Sequence, residues 1–94
     1  MTTLRIAPLG YEQITSLTAA KSLTVPSGAN FAIITVSTAA VRWRDDGTAP
    51  TASLGMPLAT NDEPMEYSGT LTAIQFIAQS GNPVLDVSYY RIAG

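Results

Sequence analysis

The stretch that decides the fold is Phe31–Thr51, which reads FAIITVS-TAA-VRWRDDGTAPT. Apolar residues occupy both alternating faces of Phe31–Ser37, which predicts a strand in the middle of a sheet with cover on each side. From Ala39 the pattern changes, with Ala39, Val41 and Trp43 on one face and Arg42 and Arg44 on the other, which predicts a half-buried strand with one wet face. Asp46-Gly47 and Pro50 favour a tight turn and a stiff loop. The stretch therefore predicts a hairpin that leads into a rigid loop.

Several other short segments alternate in the same way. Lys21–Val25 is predicted as a strand that stops at Pro26, and Leu71–Gln79 as the second main strand. Tyr11–Leu17 fits either a strand or a helical turn. Short strands separated by turn residues at steps of about 8–12 residues are typical of sandwiches and barrels.

The last predicted strand is Val84–Ile92, in which Leu85, Val87 and Tyr89 share one face. Its outward face carries Tyr90. We therefore predict an all-β fold, a small antiparallel β-sandwich that is jelly-roll-like and has about seven or eight short strands.

A weak internal similarity supports this fold. Leu23–Arg44 and Met65–Arg91 both run from a short strand through a long apolar strand to an alternating strand that ends in aromatic-Arg. Such a two-fold pattern suits a jelly roll in which each half contributes to both sheets, and the alternative is a chance likeness between two hairpins. We assign residues 1–10 to an N-terminal arm, either loose or reaching onto a neighbour, and residues 11–94 to a single domain.

The composition favours protein association and argues against several other classes of function. The 94 residues are 46% hydrophobic and only 13% charged, against about 25% charged in typical soluble domains. A small surface so poor in charge predicts a homo-oligomer or docking onto a larger body. Five Lys and Arg spread over the chain argue against a nucleic-acid partner. No long apolar run and no signal-peptide pattern appear, so we expect neither a membrane partner nor Sec export.

Catalytic chemistry has little support. The chain has no His and no Cys, which removes the usual general base, the thiol nucleophile and the commonest zinc ligands. A Schiff-base role for Lys21 is less plausible than a solvated edge charge. Carboxylates cluster at Asp45-Asp46 and again at Asp62, Glu63 and Glu66, but turn formation explains most of them without a cation. We predict no enzyme activity, no cofactor and no metal site.

The aromatic residues Trp43, Tyr67, Tyr89 and Tyr90 allow two interpretations. They fit a sugar-binding platform, but they fit packing in the core or at a subunit interface better. Trp43 and Tyr89 are predicted to face inward, so Tyr90 is the better exposed candidate. The predicted contacts with another subunit or with a glycan are Trp43, Arg42, Arg44, Tyr67, Tyr90 and Arg91.

Three segments, AAVRWRDDGTAPTASLGMPL (39–58), MEYSGTLTAIQFIAQSG (65–81) and LDVSYYR (85–91), give the chain a family resemblance. Together they resemble small virion proteins of tailed bacteriophages. The residues that carry the resemblance are Val41, Arg42, Trp43, Arg44, Asp46, Gly47, Pro50, Thr51, Gly55, Gly69, Leu71 and Tyr89.

This resemblance implies a non-enzymatic structural protein of the phage particle, such as a capsid decoration, head-fibre or tail-associated protein. The implied partners are further copies of the chain, with a trimer as the expected number, and other virion proteins. The implied location is the virion, after synthesis in the bacterial cytoplasm. The alternative is a carbohydrate-binding module of a host-attachment apparatus, whose partner is a surface glycan.

Overall fold

Two four-stranded sheets form the fold, as a computed structural model of residues 5–93 shows. Sheet A has the strand order β1-β8-β3-β6, sheet B has the order β2-β7-β4-β5, and all strand pairs are antiparallel. The strands are β1 Arg5–Ile14, β2 Lys21–Ser22, β3 Phe31–Ser37, β4 Val41–Arg44, β5 Met56–Leu58, β6 Met65–Tyr67, β7 Gln75–Ala78 and β8 Val84–Ala93. This order is that of an eight-stranded jelly roll, and it confirms the predicted β-sandwich.

The core lies between the inner faces of the two sheets. In β8 the inward residues Leu85, Val87 and Tyr89 are almost fully buried, as predicted. They pair with the inward residues of β3, and Phe76 of β7 closes the core from sheet B. The period-two alternation of buried residues is what a two-layer sandwich requires of every strand. The buried apolar set is Leu17, Leu23, Ala32, Ile34, Val36, Val41, Leu58, Tyr67, Leu71, Ile74, Phe76, Leu85, Val87 and Tyr89.

The predicted hairpin of β3 and β4 is wrong. β3 pairs with β6 and β8 in sheet A, whereas β4 pairs with β5 and β7 in sheet B. The connection turns at Thr38, which has a positive φ of 70° and donates its hydroxyl to the carbonyl of Asn82 at 2.6 Å. Both strands bury one face in the shared core, and the chain crosses from sheet A to sheet B between them. Each half of the chain therefore contributes to both sheets.

The predicted cover on both faces of β3 is also wrong. β3 does lie mid-sheet, and its Ala32, Ile34 and Val36 are buried in the core. The opposite face, with Phe31 and Ile33, is only half-buried. No other layer among residues 5–93 lies over it, so an apolar strand face is left on the surface.

Two predicted strands are shorter than expected. The segment Leu71–Gln79 contributes only Gln75–Ala78 as strand, because the carbonyl of Thr70 accepts hydrogen bonds from the amides of Ala73 and Ile74 and forms a turn. The segment Lys21–Val25 pairs only at its first two residues. Leu23, Leu71 and Ile74 are buried in the core although they lie outside regular strand.

The described part of the predicted arm is regular strand. Residues 5–10 form the first half of β1, which pairs with β8 along its length and has a register shift between Pro8 and Gly10. Tyr11–Ile14 completes that strand, which settles the choice between strand and helical turn there. Residues 1–4 of the arm lie outside the described range. Within residues 5–93 there is no helix with the length and apolarity needed to traverse a bilayer.

Candidate functional site

The uncovered outer face of sheet A contains an apolar groove of about 420 Å³. We call it the sheet A groove, and its lining residues are Ile6, Phe31, Ile33, Glu66, Tyr90 and Ile92. They lie together because β1, β8, β3 and β6 are adjacent strands of sheet A. Each of these residues is on the outer face of its strand, and the residues next to it in the chain are on the inner face. A contiguous apolar depression on a small domain often marks an interaction surface. Single apolar side chains scattered over a surface do so less often.

The floor of the groove is formed by two aromatic rings. Phe31 and Tyr90 are paired across β3 and β8, with ring centroids 6.1 Å apart and planes tilted by 54°. The hydroxyl of Ser88 donates to the Tyr90 oxygen at 2.9 Å, which fixes the Tyr90 ring on the outer face. Ile6 of β1, paired with Ile92, is 58% exposed and forms the accessible wall.

Glu66 is the one charged residue that lines the groove. Within residues 5–93 it has no hydrogen-bond or ion-pair partner. The other carboxylate on this outer face, Asp86, accepts hydrogen bonds from Tyr11 at 2.5 Å and from Gln13 at 3.0 Å. The described outer face of sheet A is therefore acidic around an apolar centre.

A second depression, of about 400 Å³, lies at the end of β4 and β5 in sheet B. We call it the Trp43 cleft, and it is lined by Trp43, Arg44, Asp45, Asp46, Leu54, Gly55 and Met56. Trp43 is half-buried and packs its indole edge-on against Tyr67, with centroids 6.3 Å apart. Leu54 and Met56 are 61% and 56% exposed, so the cleft has an apolar rim.

Arg42 holds the loop that forms this rim. Its Nε donates to the carbonyl of Ala52 at 3.1 Å and its Nη1 to the carbonyl of Gly55 at 2.9 Å. Arg42 lies on the outer face of β4, so the loop folds over the outer side of sheet B. Gly55 has a φ of 143°, and a Cβ there would be 3.1 Å from the Trp43 carbonyl oxygen. Only glycine fits this close approach without displacing the loop.

The carboxylates at the cleft are held by neighbours in the protein. The Tyr67 hydroxyl donates to Asp45 Oδ2 at 2.7 Å, and burial together with that carboxylate raises the pKa of Tyr67 to about 12. Arg44 makes two contacts with Asp46, at 3.1 Å and 2.5 Å, and this guanidinium lowers the pKa of Asp46. Each carboxylate acts as a structural acceptor.

A third polar cluster ties β1 to the core. The hydroxyl of Tyr89, which is 1% exposed, donates to Glu12 Oε2, and the same oxygen accepts the Thr24 amide at 2.8 Å. Burial, reinforced by the Glu12 carboxylate, raises the pKa of Tyr89 far above its ordinary value. This phenol stays protonated and provides the polar link between β1, β8 and the loop after β2.

The structure divides the predicted contact residues between opposite sides of the molecule. It brings Trp43, Arg44 and Tyr67 together near the cleft, with Arg42 beneath the adjacent loop. Tyr90 lies in the sheet A groove, and Arg91 donates to the carbonyl of Gly28 at 3.1 Å. The predicted contact residues did not include the groove residues Ile6, Phe31, Ile33, Glu66 and Ile92 or the rim residues Leu54 and Met56. The two apolar faces of β3 were the signal that could have identified the groove.

No set of three or more His, Cys, Asp and Glu in residues 5–93 is arranged to hold a metal ion. Comparisons of the chain with protein-family models, with curated proteins and with solved structures find no significant match. The resemblance to phage virion proteins therefore remains a prediction, and the jelly roll alone does not decide a function because this architecture serves many.

Proposed function

We propose that this protein is a non-enzymatic structural component of a tailed-bacteriophage virion, which forms homo-oligomers and docks on the capsid or tail. The observation that carries the proposal is the sheet A groove, an apolar depression on a four-stranded sheet face. The low charge content of the chain supports it, because burying a surface with few charged groups carries only a small desolvation penalty. The resemblance over residues 39–91 is the reason for proposing a phage particle as the location of the protein.

The size of the molecule is compatible with assembly through a sheet face. Its principal extents are 45 × 26 × 20 Å, so the broad face is large enough for the roughly 800 Å² per partner that specific interfaces bury. A rigid sheet loses little conformational freedom on association. The expected number of subunits is three, as predicted from the resemblance.

Quantitative mass spectrometry of purified particles tests this function. We expect the chain to be present in particles at a fixed copy number, and to be lost from particles when Ile33 is replaced by Lys. The matched control is Thr35→Lys, which adds the same charge to the same outer face of β3 outside the groove. Absence of the wild-type chain from purified particles would contradict the proposal.

A carbohydrate-binding role is the second candidate, and the Trp43 cleft is the observation that favours it. An indole beside carboxylates and an arginine offers a surface for sugar C–H groups and partners for hydroxyls. A glycan-array signal that Met56→Lys abolishes and Tyr90→Ala preserves would support this role for the cleft. Loss on Tyr90→Ala alone would instead assign sugar binding to the sheet A groove.

A further inference from the structure

One end of sheet A consists of two strands alone. β3 pairs with β8 only as far as Tyr90, and the last residues of β8, Arg91–Ala93, pair with Arg5–Ala7 of β1. We call this end the sheet A ribbon and define it as residues 5–9 and 90–93. A ribbon of two strands has little stability by itself, so the side chains that fix each of its strands to the domain matter.

The β8 half of the ribbon is fixed to the domain by side chains. Asn30 Oδ1 accepts the Ile92 amide at 2.8 Å, and Asn30 Nδ2 donates to the Ile92 carbonyl at 3.0 Å. Arg91 donates to the carbonyl of Gly28 at 3.1 Å. Asn30 therefore takes the place of a further residue of β3, and it holds this half in its extended form independently of β1.

The β1 half of the ribbon has no comparable ties. Residues 5–10 are all exposed, and no side chain among these six residues forms a hydrogen bond or an ion pair within residues 5–93. The side-chain bonds that tie β1 to β8 begin immediately afterwards, at Tyr11, Glu12 and Gln13. The first half of β1 is thus held to the domain by its backbone pairing with β8.

We infer that residues 5–9 are exchanged between copies, so that this segment of one chain pairs with residues 90–93 of a neighbouring chain in the homo-oligomer. The exchange point is Gly10, because the register shift between Pro8 and Gly10 separates the untied part of β1 from the tied part. A glycine also gives the backbone the most freedom to turn there. This inference rests on the proposed function, because it requires the homo-oligomer.

Exchange by itself adds no contact, since each chain gives one segment and receives an identical one. Separate copies therefore stay closed, and exchange occurs between copies that another contact already holds together at high effective concentration. Assembly through the sheet A groove provides that proximity, because Ile6 of the exchanged segment also lines the groove. Five extended residues span about 16 Å, so the segment reaches β8 of a copy in direct contact and no further.

Paired cysteines reveal which chain the segment pairs with, because the chain has no cysteine of its own. Ile6 and Ile92 lie directly opposite each other in the register. Since Asn30 engages both backbone groups of Ile92, the two isoleucines form a non-hydrogen-bonded pair. The Cα atoms of such a pair are about 4.5 Å apart, which is within the range of a disulfide.

The test oxidises the double variant Ile6→Cys, Ile92→Cys after assembly and separates the products on a non-reducing denaturing gel. Exchange should give covalent oligomers at multiples of 9.9 kDa, whose disulfides mass spectrometry assigns to positions 6 and 92. A segment that stays with its own chain should give an internal disulfide and a band at 9.9 kDa.

The matched control is the double variant Gln13→Cys, Asp86→Cys, an opposed pair of the same two strands on the tied side of Gly10. It should form an internal disulfide, with a band at 9.9 kDa, from the same oligomer. Adding Ile33→Lys to the first double variant should also return it to an internal disulfide, because separate copies close.

Sedimentation velocity before oxidation verifies that the double variant still assembles. If the cysteines in the groove prevent assembly, Arg5→Cys with Ala93→Cys replaces them, since this opposed pair belongs to the same ribbon and lies outside the groove.

The outcomes separate the two proposals. If the oligomer forms but the ribbon cysteines give internal disulfides alone, the exchange is overturned and the homo-oligomer stands. Covalent oligomers from the Gln13→Cys, Asp86→Cys control would overturn the exchange point at Gly10. If the wild type is a monomer at every concentration, both the homo-oligomer and the exchange are overturned.

Discussion

The Tyr67 hydroxyl donates a 2.7 Å hydrogen bond to Asp45, and this bond joins the two sheets of the sandwich at one edge. Tyr67 ends β6 of sheet A, and Asp45 follows β4 of sheet B. Trp43 packs edge-on against the same ring. The aromatic pair and the hydrogen bond together close the core beside the Trp43 cleft.

Removing this hydrogen bond should cost stability without disturbing the core. Tyr67→Phe keeps the ring and leaves the exposed Asp45 to water, so we expect a loss of about 1 kcal/mol in the free energy of unfolding. Urea denaturation measures it. Tyr90→Phe, which removes a hydroxyl from the outer face of sheet A, is the matched control and should change stability less. Equal losses for the two variants would show that Tyr67 has no special role in joining the sheets.

Stability should fall in alkaline solution. The folded-state pKa of Tyr67 is raised to about 12, and that of Tyr89 is raised further, against an ordinary value of about 10. A raised folded-state pKa means that the unfolded chain releases its proton first. The stabilisation is therefore complete below about pH 10 and is lost as the pH rises above it, by up to about 1.4 kcal/mol per pH unit for each tyrosine.

Urea denaturation below and above pH 10 checks this dependence. The wild type should lose stability above the ordinary tyrosine pKa, and Tyr67→Phe should have a shallower slope because one titrating phenol is gone. A wild-type stability that is constant through this range would contradict the burial of these hydroxyls.

The stability of the loop over sheet B should depend on the ability of the Arg42 guanidinium to donate hydrogen bonds from two nitrogens. Arg42→Lys keeps the charge but cannot donate from two nitrogens to the carbonyls of Ala52 and Gly55. We expect a loss of about 1–2 kcal/mol in the free energy of unfolding and faster hydrogen exchange at the amides of Thr51 and Leu54. Arg91→Lys, which affects one exposed contact with Gly28, serves as the control and should leave those amides unchanged.

Adjacent residues of β3 should respond differently to the same truncation. Ile34 is fully buried in the core, whereas Ile33 lies in the sheet A groove. Ile34→Val should lower the free energy of unfolding by about 0.5–1.5 kcal/mol, and Ile33→Val by clearly less, because the outer face is already hydrated in the monomer. Thermal and urea denaturation of the two variants measure the difference. In solutions dilute enough to keep the chain monomeric, a larger effect at Ile33 would mean that the outer face of β3 is covered within one chain.

The sequence predicted the layers of the fold better than its connections. Alternation in β8 identified Tyr89 and its neighbours as inward, because a half-buried strand must alternate. The turn after Ser37 could not reveal whether β3 and β4 pair. A turn that joins two strands of one sheet contains similar residues to a turn that carries the chain from one sheet to the other. Pairing of β3 with β8 joins residues that are 47 to 59 positions apart, and no local pattern specifies it.

The same limit applies to the candidate site. Trp43 and Tyr67 were identified individually from their chemistry, but their contact depends on β4 and β6 ending at the same edge. The groove joins Ile6 to Ile33 through β8, which lies between their strands, so spacing in the chain does not indicate it. What the sequence does carry is the second apolar face of β3, over which residues 5–93 place no further layer.

Sedimentation velocity of the intact wild-type chain over a concentration series is the most direct test of assembly through this face. We predict a species whose mass is a multiple of 9.9 kDa, which dissociates on dilution and which Ile33→Lys converts to monomer. A wild-type chain that sediments at 9.9 kDa at every concentration, or an oligomer indifferent to Ile33→Lys, would contradict it.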